Sequence, residues 1–261
     1  MSKNKTSPVY NALKRFVRLV YRKMEIVGIE QLPDEPSLIV ANHSQLHGPI
    51  ACELYFPGNR YTWCIGEMMH LKEVPAYAYK DFWSSKPKYS HWFYKLLSYL
   101  IAPLSVYVFN KANTIAVYHD ARLVNTFKET ANRLQEGANV VVFPEHYIKY
   151  SNIVNDFQVN FVDVAKLYYK RTGKELSFVP MYIAPNLKKM YLGKPIQFCA
   201  AKPMGEQRAQ ICEYLMNEIT KIGCSLPAHT VIPYPNIPKK HYPSNLPREN
   251  YKEAAHEKAG R

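Results

Sequence analysis

Three polar signals in this sequence each follow an apolar run. Asn42-His43 follows Leu38-Ile39-Val40-Ala41, Asn110-Lys111 follows Val106-Tyr107-Val108-Phe109, and Pro144-Glu145 follows Val140-Val141-Val142-Phe143. An imidazole with an ordinary pKa of ~6.5 is suited to taking a proton from a hydroxyl near neutral pH. Brought to one cleft, the three would supply a base, a cation and a carboxylate. Each also has an ordinary structural reading: His43 as a turn residue, Lys111 as a solvated charge, Glu145 as the cap of a following helix.

Convergence requires the three runs to be strands of a parallel sheet, because open α/β sheets hold ligands outside the carboxyl ends of their strands. The rest of the chain predicts such a sheet. Pro49 opens a helix over residues 50–56, residues 60–67 read as a strand, and residues 114–137 read as a helix stopped by Gly137. A further helix over 157–173 precedes a strand in 176–185. Strands alternating with helices give an α/β fold with a mainly parallel central sheet flanked by helices. At the start, Val9, Leu13, Phe16, Val17, Val20 and Met24 share one helical face, with Lys14, Arg15, Arg18, Arg22 and Lys23 largely elsewhere. This N-terminal amphipathic helix suits either a membrane interface or the core, and taken alone its spacing favours packing on the core. Residues 1–226 read as one domain. Pro227, Pro233, Pro235, Pro238, Pro243 and Pro247 mark residues 227–261 as an extended tail or wrapping arm.

Asn42-His43, Lys111, Phe143-Pro144-Glu145 and Val179-Pro180 follow the order and approximate spacing of the motifs of the lysophospholipid and glycerolipid acyltransferase superfamily. The chain resembles that family over roughly residues 25–200. The resemblance implies a glycerolipid acyltransferase-like fold. It also implies transfer of an acyl group from acyl carrier protein, coenzyme A or another activated donor to the hydroxyl of a lysophospholipid or related lipid. His43 would be the general base, and Asn42, Lys111, Phe143, Pro144, Glu145 and Lys149 would surround the substrate, with no cofactor and no metal.

The departures from the family concern what orients the base and grips phosphate. Gly48 stands where the family has an Asp, Lys111 where it has an Arg, and His146-Tyr147-Ile148 where it has Gly-Thr-Arg. In a serine protease, losing the comparable Asp lowers turnover by roughly 10⁴. His47, next to the glycine, is one substitute if the turn is helical, and Glu145 is another, with Glu67 and Asp120 behind them. Lysine is a point charge where arginine binds phosphate bidentately, so other lipid or glycolipid hydroxyls fit as well as lysophosphatidate. A relative that binds a lipid or an acyl carrier protein without catalysis is the alternative. His43 and His47 also have the spacing of paired zinc ligands, but no third ligand is evident.

Composition narrows the partners. The formal net charge is +13, with 21 Tyr, 11 Phe and 3 Trp. A basic surface rich in rings with polar tips points to an anionic membrane surface. No groove-reading motif accompanies the charge, so no nucleic-acid partner is expected. Trp83, Trp92, Phe93 and Tyr94 lie among Lys86, Lys88 and Lys95, as in an interfacial element. The apolar stretch over 96–109 reads as too short to span a bilayer and is interrupted by Pro103. Five scattered cysteines and an opening without a leader's apolar core point to the cytoplasm, with the chain peripheral to the inner face of the cell membrane.

Overall fold

The runs around Leu38, Val140 and Phe178 are continuous rather than alternating, as strands buried on both faces require. The computed structural model describes residues 7–84 and 86–246, and in it these runs form the middle of the sheet. The strands are β1 (Glu25–Val27), β2 (Ser37–Ala41), β3 (Arg60–Ile65), β4 (Thr114–Val117), β5 (Asn139–Val142), β8 (Ser177–Ala184), β9 (Lys189–Leu192) and β10 (Ile196–Gln197). Their order is β1-β9-β8-β2-β5-β3-β4, with β10 beside β8. The pairings from β8 through β2, β5 and β3 to β4 are parallel, as is β1 with β9, while β9 and β10 run antiparallel to β8. A separate antiparallel hairpin joins β6 (Glu145–Lys149) to β7 (Asn155–Phe157).

Alternate residues of the central strands face opposite layers. Leu38, Val40, Val140 and Val142 join a core with α5 (Leu123–Gln135), α6 (Asp163–Thr172) and α7 (Met204–Ser225), through Leu134, Val164, Leu215 and Ile219. Ile39, Ala41, Val141 and Val179 face Ala51 and Cys52 of α2 (His47–Tyr55). The expected mainly parallel sheet with helices on both faces is therefore present.

Three local expectations are corrected. The run Val106–Phe109 is not a strand: it ends α4 (His91–Lys111), a 21-residue helix that continues through Pro103. A short apolar run does not by its period distinguish strand from helix. The strand of that region is β4, which takes the first residues of what reads as one long helix over 114–137, leaving α5 behind it. Finally, α1 (Pro8–Val20) leaves much of its apolar face outside the core, with Leu13 and Val17 only half-buried. Tyr10 is its one buried residue, while Val9, Phe16, Leu19 and Val20 are exposed. Tyr10 and Lys14 instead bond the Glu53 carboxylate of α2.

α4 is equally outward-facing. It packs on α3 (Val74–Ala78) through a small cluster including Ala102, Val74 and Met68, and exposes Trp92, Phe93, Leu96, Tyr99, Leu100 and Leu104. With the turn before it, residues 88–111 are long and apolar enough to cross a membrane, and only 17% of the most apolar window is buried. The stretch is thus longer than its 96–109 core suggests. The Pro-rich segment after α7 folds back on the body, pinned by a bridge between Thr230 and Ser244; residues 247–261, Pro247 among them, lie outside the described residues, as do 1–6 and 85.

Candidate functional site

β2 and β5 are parallel neighbours in register Val40 to Val142, so the residues just beyond them emerge side by side. His43 and Glu145 meet there: the His43 backbone N–H donates to Glu145 Oε1 at 2.5 Å, and the Asn155 N–H donates to Oε2 at 2.7 Å. Both carboxylate oxygens thus hold backbone. Glu145 is 3% exposed, and burial raises its pKa to about 7 against the pull of the two N–H donors. Expected at the substrate, Glu145 instead fixes the His43 turn to the β6–β7 hairpin.

Asn42 is likewise occupied. Its Oδ1 accepts the Ile183 N–H at 2.7 Å, and its Nδ2 donates to Ser44 Oγ at 2.8 Å and to the Ile183 carbonyl at 3.1 Å. A buried amide with every group matched is a structural stitch between β2 and β8 rather than a substrate contact.

The His43 ring lies between aromatic neighbours. Phe143 is 5.1 Å away by centroids, and Tyr234 of the C-terminal segment presents an edge-on contact at 5.5 Å. Nδ1 is sealed from solvent and makes no well-aligned hydrogen bond, which leaves Nε2 as the nitrogen available to a substrate. Burial lowers the pKa, only partly offset by nearby backbone at Gln45, so the neutral, proton-accepting form prevails at pH 7. Among the described residues no carboxylate hydrogen-bonds either ring nitrogen.

The substitutes expected for the missing carboxylate do not reach the ring. His43 lies outside α2 while His47 begins it, so the two do not share a helical face. His47 Nδ1 pairs with the Tyr21 hydroxyl at 3.1 Å, and burial followed by the Lys239 charge lowers its pKa. Gly48 leaves no opening for an Asp: a Cβ there would sit 2.4 Å from the His43 carbonyl oxygen and 2.9 Å from Phe143. Its N–H donates to that same carbonyl at 3.2 Å. This turn is built around a glycine.

The basic residues are dispersed. Lys111 ends α4 rather than a strand and is exposed, and Lys149, exposed on β6, donates to Asn152 at 2.7 Å. Pro144 is buried, its carbonyl accepting from Gln158. Val179-Pro180 lies mid-strand beside Ile39 and Val40. Arg122, which no motif in the sequence singles out, follows the real strand β4. It lies 3.7 Å over the Tyr118 ring and bonds Asp120 and, more distantly, Glu73. Tyr234 is marked in the sequence only by its place in the Pro-rich arm. Among the described residues no group of three or more His, Cys, Asp or Glu side chains is placed to hold a metal ion.

No family model and no curated protein matches the chain. Among solved structures, the chain is similar to the 1-acyl-sn-glycerophosphate (LPA) acyltransferase PlsC from Thermotoga maritima. The two are 16% identical, with 82% of this chain and 80% of that chain covered and a TM-score of 0.46.

Proposed function

We propose that the chain is a membrane-peripheral O-acyltransferase of lipid metabolism with His43 as general base. The observation that carries this reading is the hydrogen bond joining the His43 turn to Glu145 at the start of β6. It brings together two of the four motif elements on which the family resemblance rests, and Nε2 of the neutral imidazole is not sealed as Nδ1 is. Nε2 takes the proton of a lysolipid hydroxyl as that oxygen attacks the acyl carbon of a thioester. The tetrahedral adduct then expels the thiolate of acyl carrier protein or coenzyme A, which recovers the proton from the imidazolium. The outward apolar faces of α1 and α4 and the net charge of +13 favour work on an anionic bilayer, at the cytoplasmic face of the cell membrane.

A second reading, a lipid or acyl-carrier binder without catalysis, draws on the unpartnered Nδ1 and the closed position at Gly48. Transfer of a labelled acyl group to a panel of lysolipids in anionic vesicles separates the two. The enzyme reading predicts turnover that His43→Gln abolishes. Vesicle and lysolipid binding without turnover, unchanged by His43→Gln, would favour the binder.

A further inference from the structure

The backbone at Ser44 and Gln45 is strained. Both lie in the left-handed region, with φ of 47° and 53°, where residues with a Cβ persist only if their surroundings over-determine them. Ser44 is held from the sheet, by Asn42 and by the Ile183 carbonyl at 3.3 Å. Gln45 is held from the other end of the chain. Its Nε2 donates to the Pro235 carbonyl at 3.2 Å, and its Oε1 accepts the Tyr242 hydroxyl at 3.2 Å.

Both contacts come from one strap, residues 231–245. Its two ends are tied together: Val231 N–H donates to the Pro243 carbonyl at 2.9 Å, and His229 N–H donates to Asn245 Oδ1 at 2.8 Å. Asn245 Nδ2 then donates to the Gly223 and Leu226 carbonyls at the end of α7, each at 3.0 Å. Between the ties, Pro233, Pro235, Pro238 and Pro243 fix φ and stiffen the path. The strap carries Tyr234 against His43, and Tyr147 of β6 backs Tyr234 at 5.3 Å.

We infer that this strap positions His43, its Tyr234 ring and its hold on Gln45 fixing the imidazole where the site has no carboxylate to do so. The inference rests on reading His43 as the base. Tyr234 and Gln45 are positioning residues: they orient the ring without supplying a negative charge to the imidazolium. Phe143 completes the clamp from the β5 side. Among the described residues, Glu145 faces His43 through the backbone and Tyr234 through its ring, while His47 is turned to Tyr21.

The test records the His43 ring resonances by NMR across pH in the full-length protein, alongside acyl-transfer kinetics on anionic vesicles, for Tyr234→Ala, Tyr234→Phe and Gln45→Ala. The strap predicts one ring environment in the natural protein. In Tyr234→Ala it predicts averaged resonances, a pKa moved up towards ~6.5, and a kcat lower by about tenfold or more at little cost in KM. Tyr234→Phe restores both ring and rate. Gln45→Ala, which removes only two hydrogen bonds, shifts the resonances the same way and serves if Tyr234→Ala does not fold. Unchanged His43 resonances in folded Tyr234→Ala and Gln45→Ala would overturn the inference. So would a higher kcat in Tyr234→Ala, which would make the strap an occluding arm. If the natural protein turns over no acyl donor, the base reading fails, and the resonances still decide the clamp.

Discussion

α1 and α5 are each 13 residues long and amphipathic, yet they meet the molecule with opposite faces. α5 sets Thr126, Thr130, Ala131 and Leu134 into the core, beside apolar strands and α6. α1 lies over Glu53, a carboxylate that also faces Arg60, and turns Tyr10 and Lys14 to it. Val9, Phe16, Leu19 and Val20 are left outside, and Leu13 and Val17 are half-buried. The difference teaches that a helical period defines a face, while the neighbour decides which way that face points. An outward apolar face edged with Arg15, Arg22 and Lys23 fits the bilayer contact proposed for it.

The contrast is breakable at three points. The largest expected effect is on stability: Leu134→Ala in α5 should cost about 2–5 kcal/mol in urea unfolding, as a cavity in a closed core does. Phe16→Ala in α1 should stay within about 0.5 kcal/mol; equal losses would mean that α1 packs its apolar face after all. Next, Glu53→Ala should cost about 1–3 kcal/mol, because it strands the donors that tie α1 down, and limited proteolysis should then cut at α1 before α5. Smaller still, Phe16→Ser with Leu19→Ser should weaken binding to anionic vesicles by about tenfold, worth about 1.4 kcal/mol. Val124→Ser, an exposed apolar position of α5, should leave vesicle binding unchanged. Sedimentation with vesicles at low and high salt measures both.

Much of this fold was legible in the sequence because buried parallel strands are written as unbroken apolar runs. β2, β5 and β8 stand where such runs stand, and the residues just beyond β2 and β5 include the His and Glu that meet. What was not legible depends on neighbours. Val106–Phe109 has the composition of a strand, and only its continuity with residues 91–105 makes it helix. α7, now a large part of one core layer, has an apolar face too diluted by polar residues to stand out. Glu145 looked like a substrate contact because sequence cannot reveal that two backbone N–H groups already fill its oxygens. Gly48 looked like a vacancy, yet the His43 carbonyl occupies the space, so Gly48→Asp should disturb the turn and lower stability rather than rescue activity. Tyr234 reaches His43 from nearly two hundred residues away, a distance no local pattern spans.

The most direct test of the account is the pH dependence of acyl transfer on anionic vesicles, for the natural protein and for His43→Gln. Burial holds the imidazole below its ordinary pKa. The neutral base is therefore fully formed above pH ~6.5 and is lost as pH falls through the lowered value. With His43 as the base, the natural protein should transfer acyl groups across pH 7–8 with a decline on the acid side, and His43→Gln should transfer none. Transfer at the same rate and with the same profile in His43→Gln would contradict it.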